Sequence, residues 1–332
     1  MSTIYSPDLP TNGRLGNQLF QIATCEGVAE KYCYGAMYPH EYTLPSEIFN
    51  HGLESFHLFP SATHLDDLPN SLSEKHYISE IPSGRVVDLR KHLATSKLAE
   101  NVHKNSYFIL SGYFQSYKNF THCEEYIRSL FEPATSIRAQ ISKSDPLLYG
   151  KMQRRFDAPS PEQPDSTANI ASLHVRRGDY VALSQSHPLN PHPPQTMEYY
   201  GRALDFIQPR KVRVFSDDLE WCQQTFKGNE FEFMQGRTHT AGELDSSNPD
   251  FITNSHNNLK NDYAEIILMS LCDHHIIANS SFSWWGAWLN PNKNKKVVAP
   301  SNWFSPEYAA SAPDIDTFNY MNDLIPSSWT MI

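Results

Sequence analysis

The chain has 332 residues, 39% hydrophobic and 19% charged, which is the composition of an ordinary globular protein and a length that suits two domains. Its formal net charge is -10, with no basic stripe to set against it. A nucleic-acid backbone is therefore disfavoured as a partner, because that binding needs clustered Lys and Arg.

Taken in chain order, Met1–Asp8 lacks the basic and apolar regions of a signal peptide. A helix is predicted from about Leu15 to Tyr32, with Leu19, Ile22, Ala23 and Ala29 as its apolar positions. The strand expected to lead into it is poorly formed, interrupted by Pro7 and Pro10. Residues 40–105 give only a mixed α/β pattern. The stretch Asp157–Thr167 holds three prolines among small polar residues and reads as a linker. It separates a domain at 1–157 from a second at 168–332.

Beyond that linker the pattern alternates. Ile170–Val175 reads as a strand, Val212–Phe215 as another, and Ala264, Ile267, Leu268 and Leu271 fall on one face of a helix. His275–Ala278 is then a strand, Asn279-Ser280 a helix cap, and Val297–Ala299 a last short strand. Residues 238–261 lack periodicity and form a long loop. Strands alternating with helices predict an α/β fold whose parallel sheet binds ligands at its strand carboxyl ends. The longest apolar runs, such as Ile266–Met269, are far short of the roughly 20 residues of a spanning helix. Five scattered cysteines with no C-x-x-C pair suit a reduced, cytoplasmic protein, in which the sequons at Asn119 and Asn279 carry no meaning.

Three segments place phosphate-binding groups at strand ends or helix starts. In His174-Val-Arg-Arg-Gly-Asp179, a continued strand would send His174 and Arg176 to one face and Arg177 to the other. Arginine suits a phosphate because its planar fork makes two parallel charged hydrogen bonds. The same fragment also fits a surface Arg–Asp pair. Asn279–Ser283 opens a helix whose amides could receive a phosphate; by spacing alone it is a capped amphipathic helix, with Phe282, Trp285 and Leu289 in the core. Gly13-Arg-Leu-Gly-Asn17 allows close backbone approach, yet it matches neither the dinucleotide nor the P-loop glycine pattern. Asp217-Asp218 and Asp66-Asp67 are possible chelators that also fit solvated loops, and no zinc motif accompanies the 15 histidines. These residues point to a phosphorylated ligand in a two-domain α/β protein.

Five segments occur in a characteristic order: Gly13–Ala23, Gly112–Lys118, His174–Tyr180, Phe215–Asp218 and the run Leu268–Trp285. With Ala299–Phe304 at its end, this series resembles glycosyltransferase family 11, the α-1,2-fucosyltransferases. The resemblance implies a GT-B type fold, two Rossmann-like domains facing a cleft, with the C-terminal one binding the nucleotide sugar. It implies GDP-fucose as donor, a galactose hydroxyl as acceptor, inversion at the sugar carbon, and no cofactor or metal. Carried over, His174 and Arg176 touch the donor diphosphate and Arg177 assists. Ser280, Ser281 and Phe282 hold the β-phosphate, Gly13 and Asn17 line the cleft, and Asp218 lies near the nucleotide. The family commonly has Asp shortly before Leu-Met-Ser, where this chain has Glu265, so an implied guanine contact rests on Glu265. Asp179 is a candidate base, with orientation of Arg176 or Arg177 as its rival role. The expected partners are thus a nucleotide sugar and an oligosaccharide. Transfer to another acceptor, a metal-dependent transferase and a non-catalytic sugar-binding protein are the competing readings.

Overall fold

The computed structural model describes residues 2–9, 13–38, 75–79, 86–91, 106–133, 138–139, 141–142, 146–156, 169–186, 190–234, 262–311 and 317–332. The expected linker 157–167, the 238–261 loop and Asp66-Asp67 lie outside them. Two units are distinguished. One comprises Met1–Glu132 with Asn319–Pro326, the other Pro133–Phe318 with Ser327–Ile332. The division falls between Glu132 and Pro133, ahead of the proline-rich stretch where the sequence suggested it. Side chains on the helix Pro146–Phe156 explain the difference. Lys151 Nζ lies 2.6 Å from Asp273 Oδ1, and Arg155 Nη2 donates to the Leu289 carbonyl at 2.6 Å, tying that helix to the second unit.

The first unit is built from β1 (Thr3–Tyr5), α1 (Leu15–Tyr32), β2 (Gly35–Met37), β3 (Lys75–Ser79) and β4 (Tyr107–Ser111). Two short 3-10 turns, Tyr117–Asn119 and Thr121–Cys123, lead into α2 (Glu124–Leu130). The sheet is parallel, in the order β2-β1-β4-β3. β1, expected to be poorly formed, is a central strand; Pro7 falls after it, so no ladder hydrogen bond is lost. Ile4, Tyr5, Phe108, Ile109 and Leu110 are buried with Leu19, Phe20, Ile22 and Ala23 of α1. The helix ends at Cys33 in the left-handed conformation, where the Tyr34 N–H reaches the Ala29 carbonyl at 2.8 Å.

In the second unit, α3 is the helix Pro146–Phe156. After it come β5 (Ile170–Val175), α4 (Gly178–Ser186), α5 (Met197–Ile207), β6 (Lys211–Ser216), α6 (Leu219–Thr225), β7 (Phe231–Phe233), α7 (Asp262–Ser270) and β8 (His274–Ile276). The remainder is α8 (Ser281–Leu289), β9 (Val297–Ala299), α9 (Pro306–Ser311), α10 (Thr317–Leu324, shared with the first unit) and β10 (Thr330–Met331). Its sheet is also parallel, in the order β10-β9-β8-β5-β6-β7. Every residue of β5 is buried, as suits a central strand covered on both faces. Helices α7 and α8 pack closely because Gly286 has no side chain: a Cβ there would lie 2.7 Å from Met269 Cβ. Both units are thus α/β with parallel, Rossmann-like sheets, as expected. No helix among the described residues is long and apolar enough to cross a membrane.

In the second sheet the strand order reverses once, between β5 and β8, with β6 and β7 laid down on one side and β9 and β10 on the other. Connections leave in opposite directions at such a point and open a crevice at the strand carboxyl ends.

Candidate active site

The loops that follow β5 and β8 flank the reversal of the second sheet, and they carry the His174–Asp179 and Asn279–Phe282 segments. β5 ends at Val175, so Arg176 and Arg177 stand in the turn before α4 rather than alternating along a strand. Each finds its own carboxylate. Arg176 Nη2 lies 2.8 Å from Asp179 Oδ1, and its Nη1 lies 3.0 Å from Asp217 Oδ2. Arg177 Nε lies 3.1 Å from Asp218 Oδ2, and its guanidinium stacks 3.9 Å from the Trp221 ring centroid. The Arg177 N–H donates to Asp217 Oδ1 at 2.9 Å. Asp218 also caps α6 by accepting from the Trp221 N–H. Asp217 and Asp218, weighed as chelators, are therefore both engaged by arginine.

Gly178 makes this packing possible. A Cβ on it would lie 2.9 Å from Asp217 Oδ2, inside contact distance. Tyr180 joins the two loops. Its ring lies under Arg176, 5.7 Å from the guanidinium, and its hydroxyl donates to the Asn279 carbonyl at 3.1 Å. That ring also stacks on His192, which meets Phe304 in turn. Asn279 is 1% exposed, and its Nδ2 donates to the carbonyls of Pro193 and Trp303, each at 3.0 Å. The sequon at Asn279 therefore has a buried amide, as does the one at Asn119, 4% exposed.

His174 is 4% exposed, and burial, then the nearby Arg176 charge, lower its pKa to about 3. The imidazole is neutral at physiological pH, and its buried Nδ1 has no hydrogen-bond partner. Its ring lies 5.6 Å from that of Phe282. Phe282 is half-buried beside the motif, whereas Trp285 and Leu289 are core. The spacing that grouped all three was correct for two.

At the start of α8, Ser280 is the cap, its Oγ accepting from the Phe282 N–H at 3.3 Å. The amide assigned to phosphate by resemblance is thus engaged by the cap. No acidic residue occupies the first turn, which leaves the positive end of the helix dipole without a local countercharge from this helix. Ser281 lies at this end. Glu265 is half-buried in the first turn of α7, which places the expected guanine-contact position on an ordered helix.

In the first unit, the loops after the neighbouring strands β1 and β4 also meet. Gly13 follows β1 with φ +82°, and a Cβ there would fall 2.4 Å from Asn17 Nδ2. Gln115, in the loop after β4, donates to Asn17 Oδ1 at 2.7 Å and accepts from the Tyr320 hydroxyl. Gly13 and Asn17 thus follow β1 where the loop after its neighbour β4 meets them. Sequence reasoning missed Tyr180, Trp221, His192 and Gln115, and treated Asp217 only as a chelator. Gln115 had a signal, its place in the Gly112–Lys118 segment.

A family model described as glycosyl transferase family 11 matches residues 10–321. The O-antigen biosynthesis glycosyltransferase WbnK of Escherichia coli is 34% identical over 142 residues, covering 42% of this chain and 40% of that protein. An alpha-1,2-colitosyltransferase of Escherichia coli is 29% identical over 230 residues, covering 67% and 61%. The galactoside alpha-(1,2)-fucosyltransferase 1 of Alouatta belzebul is 25% identical over 191 residues, covering 54% and 42%. The chain thus spans about half the length of the relatives it matches. With the family model covering nearly all of it, the chain belongs to glycosyltransferase family 11.

Proposed function

We propose that the protein transfers L-fucose from GDP-fucose to the 2-hydroxyl of a terminal β-galactoside, with inversion and without a metal ion. The observation that carries this reading is Arg176, fixed by two carboxylates at the sheet reversal of the second unit. Cleavage of the fucosyl–phosphate bond puts negative charge on departing GDP and positive charge on the sugar. A guanidinium already held in place stabilises that anion with little reorganisation. Arg177 and the start of α8, with Ser280, Ser281 and Phe282, add positive potential in the role a metal ion would otherwise fill. Neutral His174 offers hydrogen bonding without charge, Asp218 orients Arg177, and Glu265 is the proposed guanine contact. Gly13 and Asn17 are proposed as further donor contacts.

The 2.8 Å contact with Arg176 favours an orienting role for Asp179 over that of base. A galactoside acceptor is supported by the galactoside fucosyltransferase relative, and the colitosyltransferase relative adds a colitosyl donor to be tested. Titration calorimetry with GDP and GDP-fucose in EDTA tests the donor half. Saturable binding that is weakened by Arg176→Ala supports the assignment. Absence of binding, or binding only when a divalent ion is restored, refutes it.

A further inference from the structure

On the first unit, among residues given no part in the site above, three side chains of metal-ligating chemistry meet. Gly27 starts the arrangement. A Cβ there would lie 2.4 Å from the Asn119 carbonyl oxygen and 2.8 Å from Phe120 Cβ, so its absence lets α1 press against the 3-10 turns. Glu30, three residues further along α1, is thereby brought to His122 and Cys123 at the end of the second turn. His122 Nε2 lies 3.1 Å from Glu30 Oε2 and 3.0 Å from the Gly27 carbonyl. One ligand atom from each of Glu30, His122 and Cys123 can be chosen so that all three lie within 4.8 Å of one another.

We propose that Glu30, His122 and Cys123 form a binding site for a divalent zinc ion, separate from the fucosyl-transfer chemistry. A sulfur, an imidazole nitrogen and a carboxylate oxygen suit zinc; calcium and magnesium take oxygen sets. Donors held tetrahedrally by zinc bonds of ~2.0–2.3 Å lie roughly 3.3–3.8 Å apart. The His122 and Glu30 atoms are already within that separation at 3.1 Å, and the sulfur, inside the 4.8 Å limit, can be brought to it. Glu30 and His122 are 53% and 34% exposed at their side chains, so rotation of these two can close the distance onto the more buried sulfur. The local field favours a cation. Glu26 and Glu124 act electrostatically on Cys123 in addition to Glu30, and the site sits at the carboxyl end of α1, the negative pole of its dipole. As the sulfur–zinc bond forms, the Cys123 thiol releases its proton to solvent. Three protein ligands leave a fourth position for water. The bound ion would cross-link α1 to the turns that precede α2, a stabilising role.

The test uses the full chain, stripped with EDTA, dialysed free of chelator and titrated with zinc against a chromophoric competitor, with bound metal counted by mass spectrometry. One zinc per chain is expected, with affinity reduced at least tenfold by Cys123→Ser and by His122→Gln. Cobalt in place of zinc should give a thiolate-to-metal charge-transfer band that Cys123→Ser abolishes. Zinc should raise the melting temperature of the parent protein and leave that of Cys123→Ser unchanged. The exposed Glu30→Gln variant leaves both turns intact and should also weaken binding. Less than stoichiometric zinc, or binding unchanged by all three substitutions, would overturn the site.

Discussion

Replacing Arg176 distinguishes its structural role from its proposed chemical one, because the structure gives it both. Its side chain is 16% exposed and that of Asp217 is 7% exposed. Arg176→Ala leaves Asp217 with the Arg177 N–H as a remaining partner, so the loss lies near the lower end for breaking a buried pair, about 3 kcal/mol. Arg176→Lys keeps the charge, but one ammonium cannot reproduce a fork that spans Asp179 and Asp217. It gives up one of the two ion-pair contacts, a smaller loss than that of Arg176→Ala. If the guanidinium also stabilises departing GDP, turnover falls separately, by roughly 10²–10³-fold, the cost of removing one preorganised donor. The decisive comparison adds Asp217→Asn to Arg176→Ala, which removes the carboxylate that needed neutralising. Urea denaturation should show stability largely restored, while GDP release from GDP-fucose in the presence of acceptor stays depressed. Recovery of both would refute the catalytic role and reduce Arg176 to a structural countercharge.

Gly178→Ala should displace Asp217 and cost about 1–3 kcal/mol, as overpacking does, with a loss of turnover that parallels the loss of Arg176 positioning; wild-type stability and turnover would contradict the packing account. Asp179→Asn should lower turnover yet preserve the acidic limb of the pH–rate profile, and a flattened limb would restore Asp179 as the base. His174 and His275 are both buried with pKa values depressed mainly by burial, to about 3 for His174 and well below 6.5 for His275. The unfolded chain takes up protons that the folded chain refuses. Their contribution is therefore present above pH 6.5 and is lost as pH falls below it, by about 1.4 kcal/mol per pH unit for each histidine until its folded pKa is reached. Chemical denaturation at pH 7 and 5 should show this fall reduced in His174→Asn, and an identical fall in both proteins would contradict it.

What was legible in the sequence follows from what burial imposes locally. α1 and β5 have the expected bounds because their buried positions are dense and periodic, and Ser280 caps α8 by a rule that spans two residues. β1 looked poorly formed because three residues carry no periodicity and prolines follow; its strand character comes from ladders to β2 and β4. Phe282 was grouped with the core because helical spacing cannot reveal that one face of the first turn meets His174. The pairing of Arg176 with Asp217, and of Arg177 with Trp221, depends on β5 lying beside β6. Strand order is a property of the whole sheet, so nothing within either segment encodes it.

The most direct measurement is incubation of the purified protein with GDP-fucose and a panel of free β-galactosides in EDTA, followed by linkage and anomer analysis of the product. A colitosyl donor runs in parallel. The account predicts an α-1,2-fucosylated galactoside formed at a rate that EDTA does not change. GDP-fucose bound but never turned over with any acceptor, or turnover that EDTA abolishes, would contradict it.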